Sequence, residues 1–326
     1  MMISENESRA IKYIRVGAML SIVICHILHS YANRWAFVFN IGVQVFLVLS
    51  GYLYGKKIIT NWKKWAMGRV KRVYVPMFLF LIIVLPFYLI FHREVFSWKP
   101  YALNYLNLQG IPFVMGGGML QGIRHLWFIT AIMFAYLSTP ILQWLSKYAD
   151  WLFPLLVICV GGAYVVAPGP LVFASSWVFL YAIGYLYNHL NRKRIYDIGL
   201  ILLETALIVM IAMDFDIVKS YFHPLNRVFH DVSGVFLVVI GIQVLSNVKN
   251  KNIPNILEVF DKYSFHVFIV HYFFVRGPFS LAHITPYIIV NILCIITTTI
   301  VATFLFVKLN NLANRFVFDK LLKNWL

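Results

Sequence analysis

Apolar stretches recur along the whole chain, separated by short polar breaks, and most have the roughly 17 to 25 residues a helix needs to cross a bilayer. They predict spans near residues 12–31, 36–55, 73–91, 124–144, 151–167, 171–189, 197–213, 232–247, 263–276 and 286–307. No polar block is long enough to form a soluble unit of its own. The pattern therefore predicts an all-α polytopic membrane protein of about ten transmembrane helices, a single domain over residues 1–326 with no appended soluble domain. Another apolar run closely follows the first, which lacks a small-residue cleavage pattern, so it reads as a retained helix and not a signal peptide.

Polar residues inside these stretches matter most, because an ionisable group in hydrocarbon is costly and normally faces a bundle interior or a water-filled path. The first stretch holds two, Arg15 and His26. Eleven residues complete about three helical turns with roughly 20° left over and climb roughly 16 Å, so both groups share a face at different depths. The functional reading stands beside a simpler one, a snorkelling arginine and a packed histidine. Glu204 lies in the seventh span, and its sequence context assigns it no catalytic role.

Composition agrees with a membrane chain: 61% of the 326 residues are hydrophobic and the mean hydropathy is +0.78. A net charge of +16 brings nucleic acid to mind, but in such a chain cations gather in cytoplasmic loops. With ten spans, 21 of the 28 Lys and Arg residues fall on the side of the termini and seven on the other, which predicts that both termini are cytoplasmic. Cys25, Cys159 and Cys294 all lie in apolar segments, so neither a disulfide framework nor a zinc site is expected. Asp214, Asp216, His223, His230 and Asp231 fall in an outer loop, where their spacing matches no compact metal motif and reads as an exposed polar segment.

Residues 56–72 carry seven of the cations and no acid. Arg69 and Arg72, one helical turn apart ahead of Pro76, suit bidentate phosphate binding or contact with anionic lipid headgroups. The outer segment 92–123 has the length of a folded-back loop, and its Trp98, Tyr101 and Tyr105 fit either sugar stacking or an interfacial belt. His125 and Trp127 follow at an outer membrane boundary, and Tyr263, His266 and His271 mark the ninth span. His271 lies deeper than His266, in a central cavity or in a helix–helix hydrogen bond.

Four stretches occur in order: Arg15 through His26, Gly42-Val-Gln-Val-Phe-Leu-Val-Leu-Ser50-Gly51-Tyr-Leu, Arg69-Val-Lys-Arg72 through Pro76, and His125-Leu-Trp127-Phe. Together they resemble the acyltransferase 3 family, polytopic membrane proteins that O-acylate extracytoplasmic carbohydrates and related molecules. The resemblance covers nearly the whole chain and implies an integral O-acyltransferase of the cytoplasmic (inner) membrane. It matches Arg15 and His26 to the family's paired functional residues and Arg69 and Arg72, with Lys71, to its donor-associated basic motif. His125, Trp127, Ser50 and His271 are the candidates for an acceptor-facing cavity. Many members carry an acid shortly before the first arginine, as in Leu-Asp-Gly-Leu-Arg; here the stretch is Ile11-Lys12-Tyr13-Ile14-Arg15.

On this reading no cofactor or metal is bound, acyl-CoA (acetyl-CoA most simply) is the donor substrate, and the acceptor is a glycan or glycolipid. Membrane lipids are partners, nucleic acid is not, and a second copy of the chain or glycan-assembly proteins are compatible neighbours. A competing class is a transporter or flippase for a lipid-linked sugar, with histidines for proton coupling. It would leave the four motifs as coincidence, and no inverted repeat is evident.

Overall fold

The computed structural model describes residues 4–166, 170–214, 224–248 and 255–315. These are helical, with no strand among them: α1 (Glu5–Ser30), α2 (Ala36–Phe39), α3 (Gly42–Gly55), α4 (Trp62–Arg69), α5 (Val75–Phe91), α6 (Trp98–Tyr105), α7 (Gly110–Met115) and α8 (Trp127–Leu137). α9 (Thr139–Leu145), α10 (Ala149–Val166), α11 (Pro170–Tyr187), α12 (Lys193–Met213), α13 (Pro224–Ser246), α14 (Asn255–Val275) and α15 (Ile288–Ala313) follow. Seven helical stretches among the described residues are long and apolar enough to cross a membrane: Glu5–Ser30, Ala36–Gly55, Trp62–Phe91, Arg124–Tyr164, Lys193–Met213, Leu225–Ser246 and Ile288–Ala313. The chain is a multi-pass membrane protein. Its charge clusters at 56–72 and 192–194 are described, whereas Asp216, Lys219 and His223 lie outside the described residues.

Two segments expected to be loops are partly helical. In residues 56–72, Asn61 caps α4 by accepting the Lys64 backbone N–H at 2.9 Å, and the helix runs straight into a π turn, Val70–Tyr74, and then α5. Pro76 supplies the physical reason for that turn. Proline has no N–H to donate and its ring presses on the carbonyl four residues back, that of Arg72, so the backbone widens there and the Val75 N–H reaches Val70 instead. Segment 92–123 contains α6 and α7; Tyr101 is buried with its hydroxyl on the Leu81 carbonyl at 2.7 Å, whereas Trp98 is exposed.

The chain divides into two compact units. The first comprises Met1–Ser21, Asn40–Ile58 and Ala131–Asp261. Its centre is the α3–α11 seam, where glycines allow backbone to meet backbone. A Cβ on Gly51 would stand 1.9 Å from the Tyr181 carbonyl oxygen, and one on Gly184 would stand 2.1 Å from that of Val48. α13 packs on the same helix α3, with Gly234 against Gln44.

His230 and Asp231 correct the expectation of an exposed outer loop. Both lie in α13 and are buried, at 0% and 6% exposure. The Tyr164 hydroxyl donates to Asp231 at 2.7 Å, and Arg227, one turn earlier, lies 3.9 Å away. Polar density suggested a loop, yet these groups neutralise one another within a helical bundle. Glu204 is also buried, and one of its oxygens accepts from Ser233 at 2.7 Å.

The second unit comprises Ile22–Phe39, Ile59–Thr130 and Lys262–Leu326. Its core is an aromatic cluster in which Phe273 and Phe279 stack at 4.5 Å and Tyr88 packs edge-on against Phe279. Gln109, buried, donates to the Leu126 carbonyl at 2.7 Å and ties the segment after α6 to the start of α8. Gly277, at φ +101°, lies against Gly122, at φ +81°. Both backbones need glycine's left-handed freedom, and a Cβ on Gly277 would be 2.4 Å from the Gly122 nitrogen.

Candidate active site

Within the second unit three histidines from three elements converge. His26 comes from α1, His125 from the 3-10 turn Arg124–Leu126 ahead of α8, and His271 from α14. The His26 and His271 rings stack at 5.3 Å between centroids, and His125 meets His271 at 5.4 Å in an edge arrangement. Tyr272 links the group: its ring is 4.7 Å from His26, edge-on, and 4.7 Å from His125, nearly parallel. His125, His271 and Tyr272 are buried, whereas His26 keeps part of its surface accessible.

The backbone fixes how two of these rings present their nitrogens. A carbonyl oxygen only accepts, so His271 Nδ1–H donates to Phe268 at 2.8 Å, and His125 Nε2–H donates to Ile269 at 3.0 Å. In the neutral rings, His271 Nε2 and His125 Nδ1 then carry lone pairs, and neither has a hydrogen-bond partner among the described residues. Two buried acceptors without donors are ready to receive a hydroxyl or a water. Arg276, exposed at the end of α14, is close enough to act electrostatically on His26, His29, Cys25 and Tyr272, and Arg124 acts on Tyr272. A partly accessible imidazole, two lone pairs and two cations can together remove a proton from a hydroxyl and offset negative charge that develops beside it.

The other expected residues lie as follows. Trp127 belongs to the same unit but turns to Phe113, stacked at 4.4 Å with 2° between planes. Arg69, at the end of α4, and Lys71, in the π turn, are half-buried, and Arg72, in the same turn, is exposed. Arg15 and Ser50 lie in the first unit; Ser50 is half-buried on α3, and Arg15 is paired with Asp261 of α14, Nη1 to Oδ1 at 2.9 Å. Among the described residues no group of three His, Cys, Asp or Glu side chains is arranged to hold a metal ion. A cavity of about 500 Å³ lies in the first unit among Phe153, Val157, Tyr164, Leu200 and Asp231; it is almost wholly apolar and contains none of the expected site residues.

Sequence reasoning missed Tyr272, Arg276 and Asp261. Tyr272 directly follows His271, so its place beside the cluster was hidden only by its being one more aromatic in an aromatic-rich helix. Asp261 had a readable signal. Glu258 and Asp261 are three residues apart, as are Lys12 and Arg15, and complementary charges at matched helical spacing mark two faces that meet.

A family model described as an acyltransferase domain matches residues 8–307. No curated protein and no solved structure matches the chain. That match spans nearly all of the helical bundle, including the segments that carry His26, His125 and His271, and the chain belongs to the acyltransferase 3 family of membrane acyltransferases.

Proposed function

We propose that this protein transfers an acyl group, acetyl most simply, from cytoplasmic acyl-CoA to a hydroxyl of an extracytoplasmic polysaccharide or lipid-linked glycan. The observation that carries the reading is the partly accessible His26, stacked in an apolar bundle on His271, which in turn meets His125, the two latter rings having lone pairs without a partner among the described residues. A sugar hydroxyl is a poor nucleophile at neutral pH, and imidazole is the side chain whose ordinary pKa suits it to accept that proton. His26 takes the proton as the hydroxyl oxygen attacks the thioester carbonyl. The carbon–sulfur bond then breaks, and CoA leaves as the thiol after taking the proton back. Arg15 is assigned to holding the donor, and Arg276 to offsetting the negative charge that develops beside the histidines. The same residues also suit a relay in which His26 carries the acyl group before the acceptor takes it.

The excess of Lys and Arg in residues 56–72 supports assigning Arg69, Lys71 and Arg72 to the cytoplasmic, donor side of the membrane, where CoA phosphates need cations. Arg69→Ala and Arg72→Ala are each expected to raise the KM for acyl-CoA by roughly tenfold to a hundredfold, the worth of a charge-assisted hydrogen bond, and to leave the KM for the glycan unchanged. Steady-state kinetics with each substrate varied in turn makes the check, and an unchanged acyl-CoA KM removes these residues from the donor site.

The function itself is tested by CoA release from purified protein given acetyl-CoA and envelope glycans, joined to mass spectrometry of those glycans with and without the gene. Glycan-dependent CoA release together with loss of a 42 Da ester, the mass of an acetyl group replacing a hydroxyl hydrogen, is the expected result. Unmodified glycans with normal CoA levels, but lipid-linked sugar trapped on one side of the membrane, would instead establish the flippase.

A further inference from the structure

Arg15 has no acid beside it on its own helix, yet its guanidinium is held by one. Nη1 donates to both oxygens of Asp261 on α14, at 2.9 and 3.2 Å. One turn earlier Lys12 pairs with Glu258 at 3.0 Å, and both pairs have the same offset of 246 residues, so the two helices run in the same direction in a fixed register there. His26 and Tyr272 share that offset, so the eleven-residue step from Arg15 to His26 on α1 is repeated on α14 from Asp261 to Tyr272.

The two ion pairs differ in what they can do. Lys12 and Glu258 are 31% and 54% exposed, a solvated pair worth little. Asp261 is only 13% exposed, so its carboxylate is poorly hydrated and tied to Arg15. The contact also uses only one nitrogen of the planar fork. Nη2 and Nε make no hydrogen bond among the described residues, and the Arg15 side chain is 32% exposed. An arginine anchored through one nitrogen has that end of its fork held in place while its remaining N–H donors stay available, the arrangement that suits a guanidinium meant to meet an anion.

We propose that Asp261 is the positioning residue for Arg15: its carboxylate, supplied by α14, orients the guanidinium toward the acyl donor. The proposal rests on the reading that Arg15 acts in acyl transfer. Asp261 itself touches neither substrate. Its effect passes through the orientation of Arg15, where a misplacement of about 1 Å can cost on the order of 10²-fold in rate.

A double-mutant cycle on the full-length protein in vesicles tests this, with kcat, KM for acetyl-CoA and melting temperature measured for each variant. Asp261→Asn keeps the shape and removes the charge; it is expected to lower kcat/KM by about 10²-fold. Arg15→Ala should fall at least as far, and the double variant no further than Arg15→Ala alone, because two residues acting through one group are not additive. A merely structural ion pair would lower the melting temperature in both single variants and leave the kinetic constants of the folded fraction intact. Wild-type kinetics in Asp261→Asn with an inactive Arg15→Ala overturns the proposal and leaves the acyltransfer reading standing, and additive losses in the double variant overturn it as well. Full activity in Arg15→Ala instead removes the reading of Arg15 on which the proposal is built. Should Asp261→Asn fail to fold, the same cycle with Asp261→Glu, which shifts the carboxylate by one methylene, carries the same expected non-additivity and the same overturning results.

Discussion

Replacing His26 with alanine lowers acyl transfer by about 10²- to 10⁴-fold, the range general-base catalysis contributes, while the protein stays folded. The expectation follows from the unequal places of the three histidines. His125 and His271 are buried, and each commits one nitrogen to a backbone carbonyl, so their substitution changes packing as well as chemistry. His26 is partly accessible and touches its neighbours chiefly through ring faces, with His271 stacked at 5.3 Å and Tyr272 edge-on at 4.7 Å. Removing it therefore takes away a base without breaking a ring-to-backbone hydrogen bond of the kind His125 and His271 make. His26→Gln, which keeps a polar side chain but no base near neutral pH, should be as inactive as the alanine variant. The measurement is CoA release at saturating donor and glycan, with the melting temperature as a control. Equal rates in wild type and His26→Ala would end the assignment of His26 as the base.

Gly51→Ala and Gly184→Ala should each destabilise the protein by more than the roughly 1 to 3 kcal/mol of ordinary overpacking. A methyl on Gly51 would lie 1.9 Å from the Tyr181 carbonyl oxygen and 2.8 Å from its carbon, and one on Gly184 would lie 2.1 Å from the Val48 oxygen. These are backbone atoms and cannot swing aside, so α3 and α11 must separate along the whole seam and lose the dispersion contacts of both faces. Gly161→Ala on α10 is the control. Nothing lies within 4 Å of its added methyl, and in a helix alanine is favoured over glycine by about 0.8 to 1 kcal/mol, so this variant should be as stable as wild type or more so. Thermal unfolding in detergent, read by retention of a monodisperse peak, compares the three. A Gly51→Ala protein that melts with wild type would show that the seam can open without cost.

Much of the helical layout was legible in hydropathy alone, because a bilayer demands long apolar runs and satisfied backbone groups. The stretch expected at 286–307 is α15, Ile288–Ala313, and the one at 197–213 is α12, Lys193–Met213. What hydropathy does not carry is pairing. Residues 56–72 looked like a loop because they are charged, but Asn61 caps a helix there that continues into the next span. His230 and Asp231 looked exposed for the same reason, although Tyr164 and Arg227 meet Asp231 inside the bundle. The site was partly legible: a shared helix face pointed to Arg15 and His26, while only the fold brings His125 and His271 to His26 and Asp261 to Arg15. Partners more than two hundred residues apart, such as His26 and His271, leave no local periodicity to read.

The glycine seam also sets a timetable for biosynthesis. Gly51 and Gly184 are separated by 133 residues, and at about 5 to 20 residues per second α11 emerges roughly 7 to 27 s after α3. During that interval the groove on α3 faces lipid or the insertion machinery, with no neighbour able to approach its backbone. Nascent chains arrested before residue 170 should therefore hold α3 in the membrane without its native mate, and chains arrested well past residue 187 should be the first in which a cross-link between the two helices forms.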